Sequence, residues 1–164
     1  MHHIDMYMYI SSQACVKKEE TMIVAKLMSK PIVTVSLDDT LRTVKHIFEN
    51  AKFHHLLVVE KGVLYGVISD RDLLKSISPF IGTVNETPHD TVTLNRKVHQ
   101  IMTRKPITLA ADADIYKAIN IFNRFSISCI PIVDDKNHPV GIISWRDILR
   151  ALEVNHDKKI KKTN

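Results

Sequence analysis

The residues most able to do chemistry come in two matched sets, Ser69-Asp70-Arg71-Asp72 and Ser144-Trp145-Arg146-Asp147. Each follows a glycine and an apolar run: residues 66–74 read GVISDRDLL and residues 141–149 read GIISWRDIL. Serine with an acidic residue three positions on is the signature of a capping box, here with aspartate in place of the usual glutamate or glutamine. Such a box starts a helix and needs no ligand. Gly66 and Gly141 would then only ease a tight approach within a strand. The same geometry also has a binding reading. A strand that runs into a helix start leaves backbone N–H groups free at the positive end of the helix dipole, which suits phosphate. Ser69 or Ser144 could donate to a phosphate oxygen there, and Arg71 or Arg146 could grip it bidentately. Asp72 or Asp147 could accept from paired hydroxyls such as those of a ribose. Phosphate, ribose and an apolar slot for a base together describe a nucleotide.

Other constellations are weaker. His54-His55 invites a metal, but adjacent strand residues point to opposite faces and rarely share an ion; one of the two could line a cleft instead. His2, His3, Met6 and Met8 could hold a soft metal, but a terminus without fixed geometry disfavours it, so no metal site is expected. Cys129 lies in an apolar run and reads as a small core residue. Cys15 lies in a ragged N-terminal segment, which makes a disulfide between the two a poor expectation. No serine–histidine–aspartate set, cysteine–histidine pair or Walker loop stands out. Four glycines in the whole chain leave little room for a dinucleotide loop. No catalytic residue, catalytic cofactor or enzyme activity is expected.

These sets need strands and helices to aim them, and the chain writes the same scaffold twice. Aligned on Met28 and Met102, KLMSKPIVTVSLDDTL lies over QIMTRKPITLAADADI, and RTVKHIFENAKFHHLLVVE over YKAINIFNRFSISCIPIVD. After a one-residue insertion in the second copy's later turn, the two serine sets coincide. A repeat of this kind decides the architecture before any single motif does. Val24, Leu27 and Met28 have helical spacing, as do Val98, Ile101 and Met102. A short strand is expected over 32–35, after Pro31, and over 107–109, after Pro106. A helix then starts near Asp38 or Asp39, and near Asp112, because aspartate accepts from the free N–H groups of a first turn. Leu41, Val44, Ile47 and Phe48 make its apolar face in the first copy, and Ile115, Ala118, Ile119 and Phe122 in the second. Strands follow over 56–59 and 63–68, then over 129–133 and 140–143. Glu60-Lys61-Gly62 makes one hairpin turn and residues 134–139 a longer, polar one. The last helix opens at Ser69 and at Ser144. The unit is β-α-β-β-α, of α/β (α+β) class. Its strands are apolar almost throughout, which implies sheets covered on both faces. Residues 79–96 read as a linker, longer than a tight loop needs, that could wrap across the module or cover a cleft.

Composition agrees with a folded protein. Hydrophobic residues are 45% and charged residues 25% of the chain, ordinary values for a globular domain. No apolar run approaches the roughly 20 residues that cross a bilayer. The start, MHHIDMYMYISSQACVKKEE, lacks the order of a secretory signal. A cytoplasmic location without membrane insertion is expected. The net charge is +5, and the final DKKIKKTN carries four lysines against one aspartate. Such a run reads as a solvated tail. Nucleic acid is disfavoured as a partner because the body lacks a basic stripe interleaved with aromatics.

Over residues 22–153 the chain resembles a pair of cystathionine β-synthase (CBS) domains, also called a Bateman module. The family pattern Gly-hydrophobic-x-Ser/Thr-x-x-Asp is met by Gly66, Ser69 and Asp72, and again by Gly141, Ser144 and Asp147. The family's hydrophobic-Pro-hydrophobic strand is met by Ile130-Pro131-Ile132-Val133. The resemblance implies two β-α-β-β-α units packed with pseudo-two-fold symmetry, and two such pairs joined in a flat homodimer. It implies clefts that bind adenosine-containing ligands: AMP, ADP, ATP or S-adenosylmethionine. It places ribose and phosphate on the two serine sets. It places the base between the short strand (Ile32 and Thr34, or Ile107 and Thr108) and the start of the next (His55 and Leu56, or Cys129, Ile130 and Pro131). Two departures matter. Leu57 stands where the second copy has Pro131, so the base slots differ. Trp145 replaces Asp70, whose carboxylate would repel phosphate, which favours the second set.

The expected organisation is an N-terminal extension (1–21), a first unit (22–79), a linker (80–96), a second unit (97–153) and a basic C-terminal tail (154–164). Three functions compete. The first is a stand-alone sensor of adenine nucleotides that reports to an effector protein. The second is an adaptor whose serine sets are only caps and whose clefts stay ligand-free. The third, ranked last, is nucleic-acid binding through the lysine tail.

Overall fold

The structure, a computed structural model, describes residues 22–51 and 53–163. The expected extension over 1–21, with His2, His3, Met6, Met8 and Cys15, lies outside the described residues. In the first copy β1 (Thr34–Val35) leads to α1 (Leu41–Asn50), the hairpin of β2 (His55–Glu60) and β3 (Val63–Ser69), and α2 (Asp70–Ser76). After it come α3 (Pro88–Val92) and β4 (Thr103–Arg104). The second copy repeats the order with β5 (Leu109–Ala110), α4 (Ile115–Arg124), β6 (Cys129–Val133), β7 (Pro139–Ser144) and α5 (Trp145–Thr163).

Local chemistry explains these bounds and the departures from expectation. Thr40 and Asp114 cap α1 and α4, accepting from the N–H of Thr43 and of Tyr116. Asp39 instead accepts from the Ser36 N–H at 2.7 Å, closing the turn ahead of the helix. The lead-in helices are single 3-10 turns, Val24–Lys26 and Val98–Gln100. The β2–β3 turn places Lys61 and Gly62 at φ of 49° and 83°, the primed two-residue turn that matches strand twist. The linker holds α3, which Thr87 and Asp90 cap with a box of their own. It folds back on the first copy: Ser78 N–H donates to Thr93 Oγ1 and Arg96 to the Ser76 carbonyl. Residues 154–163 lie within α5.

The strands form a four-stranded sheet, β1-β2-β3-β4, and a three-stranded sheet, β5-β6-β7. β1 runs parallel to β2 and β5 to β6, while β2–β3 and β6–β7 are antiparallel hairpins. The first sheet takes its last strand from the second copy, since Gly66 pairs with Arg104 and Val67 with Thr103. Reciprocally, Ser29 of the first copy bridges Ile142 of the second.

This exchange extends through each lead-in segment. The N–H groups of Val24 and Ala25 donate to Ala113 and Ala111, and those of Val98 and His99 to Asp39 and Leu37. Val24 is fully buried in the second copy's core, with Ile130, Ile132 and Ile143. Val98 and Met102 are buried in the first copy's core, with Leu41, Leu56 and Ile68. The glycine before each serine set is explained by the same exchange. A Cβ on Gly66 would come within 2.8 Å of Met102 Sδ, and one on Gly141 would strike Met28. A third cluster, Leu57, Leu64, Val67 and Cys129, joins the two copies directly.

Candidate functional site

Both serine sets form complete capping boxes. Ser69 donates from its backbone N–H (2.9 Å) and hydroxyl (2.6 Å) to Asp72 Oδ2, and Asp72 N–H donates back to Ser69 Oγ at 3.2 Å. Ser144 and Asp147 repeat the pattern at 2.8, 2.7 and 3.4 Å. Each hydroxyl proton is therefore committed to its aspartate. In this arrangement each serine hydroxyl serves its own capping box. The other carboxylate oxygen, Oδ1, carries no hydrogen bond among the described residues. That free acceptor suits a ligand hydroxyl.

The two sets converge on one cleft of about 400 Å³ between the copies, within the roughly 300–1,000 Å³ typical of ligand sites. The first copy contributes His55, Ser69 and Arg71 to its lining. The second contributes Cys129, Ser144, Arg146 and Asp147. Asp72 does not line it; its side chain stays in the capping box. Of the residues expected to form the base slots, His55 and Cys129 line this cleft. Leu56 and Ile130 are fully buried in the separate cores, and Pro131 is buried beside Ile130 on β6. They back the walls and have no surface to offer. Ile32 packs against the cluster that joins the copies. Thr34 is exposed on an edge strand away from the cleft, and Ile107 and Thr108 precede the equivalent edge.

The structure adds residues that the motifs do not reveal. Arg150 lines the cleft one turn beyond Arg146, with Ser29 and Ser128. Its signal was its i,i+4 spacing from Arg146 on a helix that also carries Asp147. His54 and His55 both border the cleft but take different partners. His54 Nδ1 meets Asp70 Oδ2 at 2.7 Å. His55 Nε2 meets Ser128 Oγ of the other copy at 2.8 Å, tying the two copies together at the cleft. Burial holds the His55 imidazole below its ordinary value, against the pull of Asp70. Burial pushes the Cys129 thiol up to about 12, so it stays protonated and is no nucleophile. Arg146 stacks over the Trp145 ring, 5.3 Å from its centroid, a cation–π arrangement that restrains the guanidinium.

A second cavity of about 520 Å³ adjoins the first, sharing Ser29, Asp147 and Arg150. Met22, Leu27, Ala151 and Val154 give it apolar walls. Among the described residues, no group of three or more His, Cys, Asp or Glu side chains is placed to hold a metal ion. No described helix is long and apolar enough to cross a membrane.

Comparison with known proteins gives a consistent result. The CBS domain pattern matches residues 24–79 and again 98–154. A CBS domain-containing protein of Dictyostelium discoideum is 32% identical over 133 residues, covering 80% of this chain and 91% of that protein. Protein MJ0188 of Methanocaldococcus jannaschii is 30% identical over 84% of this chain, but the match spans only 47% of that longer protein. Among solved structures, the CBS domain pair of protein MJ0100, in complex with 5′-methylthioadenosine and S-adenosyl-L-methionine, superposes with a TM-score of 0.68 at 25% identity. That match covers 82% of this chain and 98% of that one. Protein MJ1225 of Methanocaldococcus jannaschii superposes with a TM-score of 0.68 at 30% identity, over 80% of this chain and 50% of that one.

Proposed function

Because the chain belongs to the CBS-domain family, we propose that it is a regulatory module that binds an adenosine-containing ligand between its two copies. AMP, ADP or ATP is the expected ligand class, with S-adenosylmethionine as the alternative. One observation carries this reading: Arg71 of the first copy faces the same cleft as Ser144, Arg146 and Asp147 of the second. A ligand gripped by both copies prefers the arrangement that brings them together, and only such differential affinity can shift a conformational equilibrium. Asp147 accepts from the ribose hydroxyls through its free oxygen, and Arg71 and Arg146 hold phosphate. The adenosine compounds bound by the MJ0100 domain pair support the adenosine moiety. The change in angle between the copies passes to an effector protein. A homodimer, a cytoplasmic location and the lack of a catalytic step belong to the same reading.

Thermal shift with AMP, ADP, ATP, S-adenosylmethionine and NAD tests it. A ligand at 100 times its Kd stabilises the fold by about 2.7 kcal/mol. The expected result is an upward shift with an adenine nucleotide that Asp147→Ala removes. The adaptor reading has one observation in its favour, the closed Ser69–Asp72 box whose aspartate does not line the cleft. If no ligand shifts the melting temperature, both serine sets are caps and the adaptor reading replaces the sensor.

A further inference from the structure

His55 stands where the two copies and the cleft meet. It opens β2, its side chain borders the cleft, and its Nε2 lies 2.8 Å from Ser128 Oγ of the second copy. Its other ring nitrogen, Nδ1, carries no hydrogen bond among the described residues. A neutral imidazole has one donor and one acceptor, and a charged one donates from both nitrogens. Ser128 serves either form, because a hydroxyl donates or accepts. A proton on His55 therefore adds charge to the cleft without breaking the bond between the copies. The charges that face His55 come from several elements. Its own strand lead-in brings His54, and the start of α2 brings Asp70, Arg71 and Asp72. Across the cleft α5 brings Arg146, Asp147 and Arg150, and β6 brings Cys129, whose thiol stays neutral. Burial is the largest influence on the imidazole and opposes its charge; His54 and Arg71 oppose it too, while Asp70 and Asp72 favour it. Both of those carboxylates are already engaged, Asp70 with His54 and Asp72 with Ser69. An anion that meets Arg71 thus enters a space whose charge His55 already feels. It offsets a guanidinium that opposes the proton and adds negative charge of its own. An opposite charge within about 4–6 Å favours the charged form of a group by about tenfold or more. The further burial that a ligand brings falls on Nδ1, which the anion itself can satisfy.

Resting on the reading above, we infer that His55 links ligand binding in the cleft to a proton: a phosphate-bearing ligand seated among Arg71, Arg146 and Arg150 draws a proton onto His55, and is held more tightly as the pH falls. The link is reciprocal, since the proton does for the ligand what the ligand does for the proton. It also reaches the joint between the copies. An imidazolium donates a charge-assisted bond to Ser128, stronger than the neutral one, so proton and ligand favour the same joined arrangement. The module then responds to ligand and acidity together. The equivalent position in the second copy, Cys129, cannot take part.

The test is an NMR titration of the His55 ring in the full chain, assigned through its backbone, with and without saturating AMP. The midpoint is expected below 6.5 in the free protein and about one pH unit higher with AMP. Calorimetry of AMP binding between the two midpoints, in two buffers of different ionisation enthalpy, counts the protons taken up. A phosphate monoester titrates by itself near about pH 6, so the readout is the difference between wild type and His55→Gln. The wild type is expected to take up more proton than the variant. Its affinity should gain about tenfold on the variant's as the pH falls from above the bound midpoint to below the free one. A midpoint that AMP leaves unchanged or lowers overturns this inference and leaves the sensor reading standing. Equal proton uptake by wild type and variant does the same. The NMR titration needs only the wild type, so it decides the matter even where His55→Gln does not fold. Failure of both AMP and ATP to bind at any pH overturns this inference and the sensor reading together.

Discussion

The two helix starts are nearly identical in sequence and in local geometry, yet they do not stand in the same relation to the cleft. Ser69–Asp72 and Ser144–Asp147 close the same box with hydrogen bonds that agree to within a few tenths of an ångström. Only the second sends its aspartate into the lining. The residue after each serine differs most. Asp70 pairs with His54 and keeps a carboxylate at the mouth, whereas Trp145 carries Arg146 across its face. The lesson is that a duplicated motif can keep its structural task in both places while only one copy presents its box aspartate to the cleft. A helix cap needs only its own four residues, while a ligand site needs what stands opposite.

The comparison can be broken most severely through the segments that the copies exchange. Met102 belongs to the second copy but is buried in the first copy's core. Met102→Ala should cost about 2–5 kcal/mol, the usual range for a buried methionine. Because the copies share edges and cores, urea unfolding should remain one transition. Two separate transitions would show that each copy folds on its own.

Next in size is the ligand effect. Asp147→Ala should lose the whole ligand-induced stabilisation, about 2.7 kcal/mol at 100 times Kd. Asp72→Ala should lower the melting temperature of the free protein and keep the ligand shift. An equal loss of ligand response in both variants would restore the symmetry that the cleft denies.

Smaller still is the cap itself. Ser69→Ala and Ser144→Ala should each destabilise the free protein by about 1 kcal/mol, the typical value for a lost cap. Equal costs in urea unfolding would confirm that the structural task is shared. A much larger cost at Ser144 would give it a role beyond the cap.

The smallest effect is a pH dependence carried by the first copy alone. His55 has its counterpart in Cys129, a thiol that does not ionise near neutrality. The folded-state value of His55 lies below 6.5. Between that value and 6.5 the unfolded chain holds a proton that the folded chain lacks, so stability rises with pH there. Stability should accordingly fall as pH drops through 6.5 and level off below the folded-state value. His55→Gln should flatten that part of the profile in urea unfolding followed against pH. An unchanged slope would assign it to other histidines.

Much of the scaffold was legible in the sequence. The repeat, the hairpins, the buried strands and the two caps at Ser69 and Ser144 are all local patterns, set by alternation, turn residues and side chains that bond a few positions away. The misplaced starts of α1 and α4 show the limit of that logic. Several aspartates and threonines compete for one cap, and the turn ahead of the helix chooses among them. Ile32, Thr34, Ile107 and Thr108, expected at the base slots, are not among the residues that line the cleft, and no local pattern states what stands opposite a given residue.

The sequence by itself determined that there are two copies, what each is made of, and that a serine cap opens the last helix of each. Tertiary structure alone decided that Val24 serves the second core and Val98 the first, and that Gly66 faces Met102 while Gly141 faces Met28. It alone brought Arg71 and Arg150 to one cleft. The physical reason lies in the repeat. Hydrophobic periodicity states that a face must be buried, but not against which partner. When two copies present nearly the same apolar faces, pairing within a copy and pairing across copies look alike in one dimension. Only the folded chain separates them.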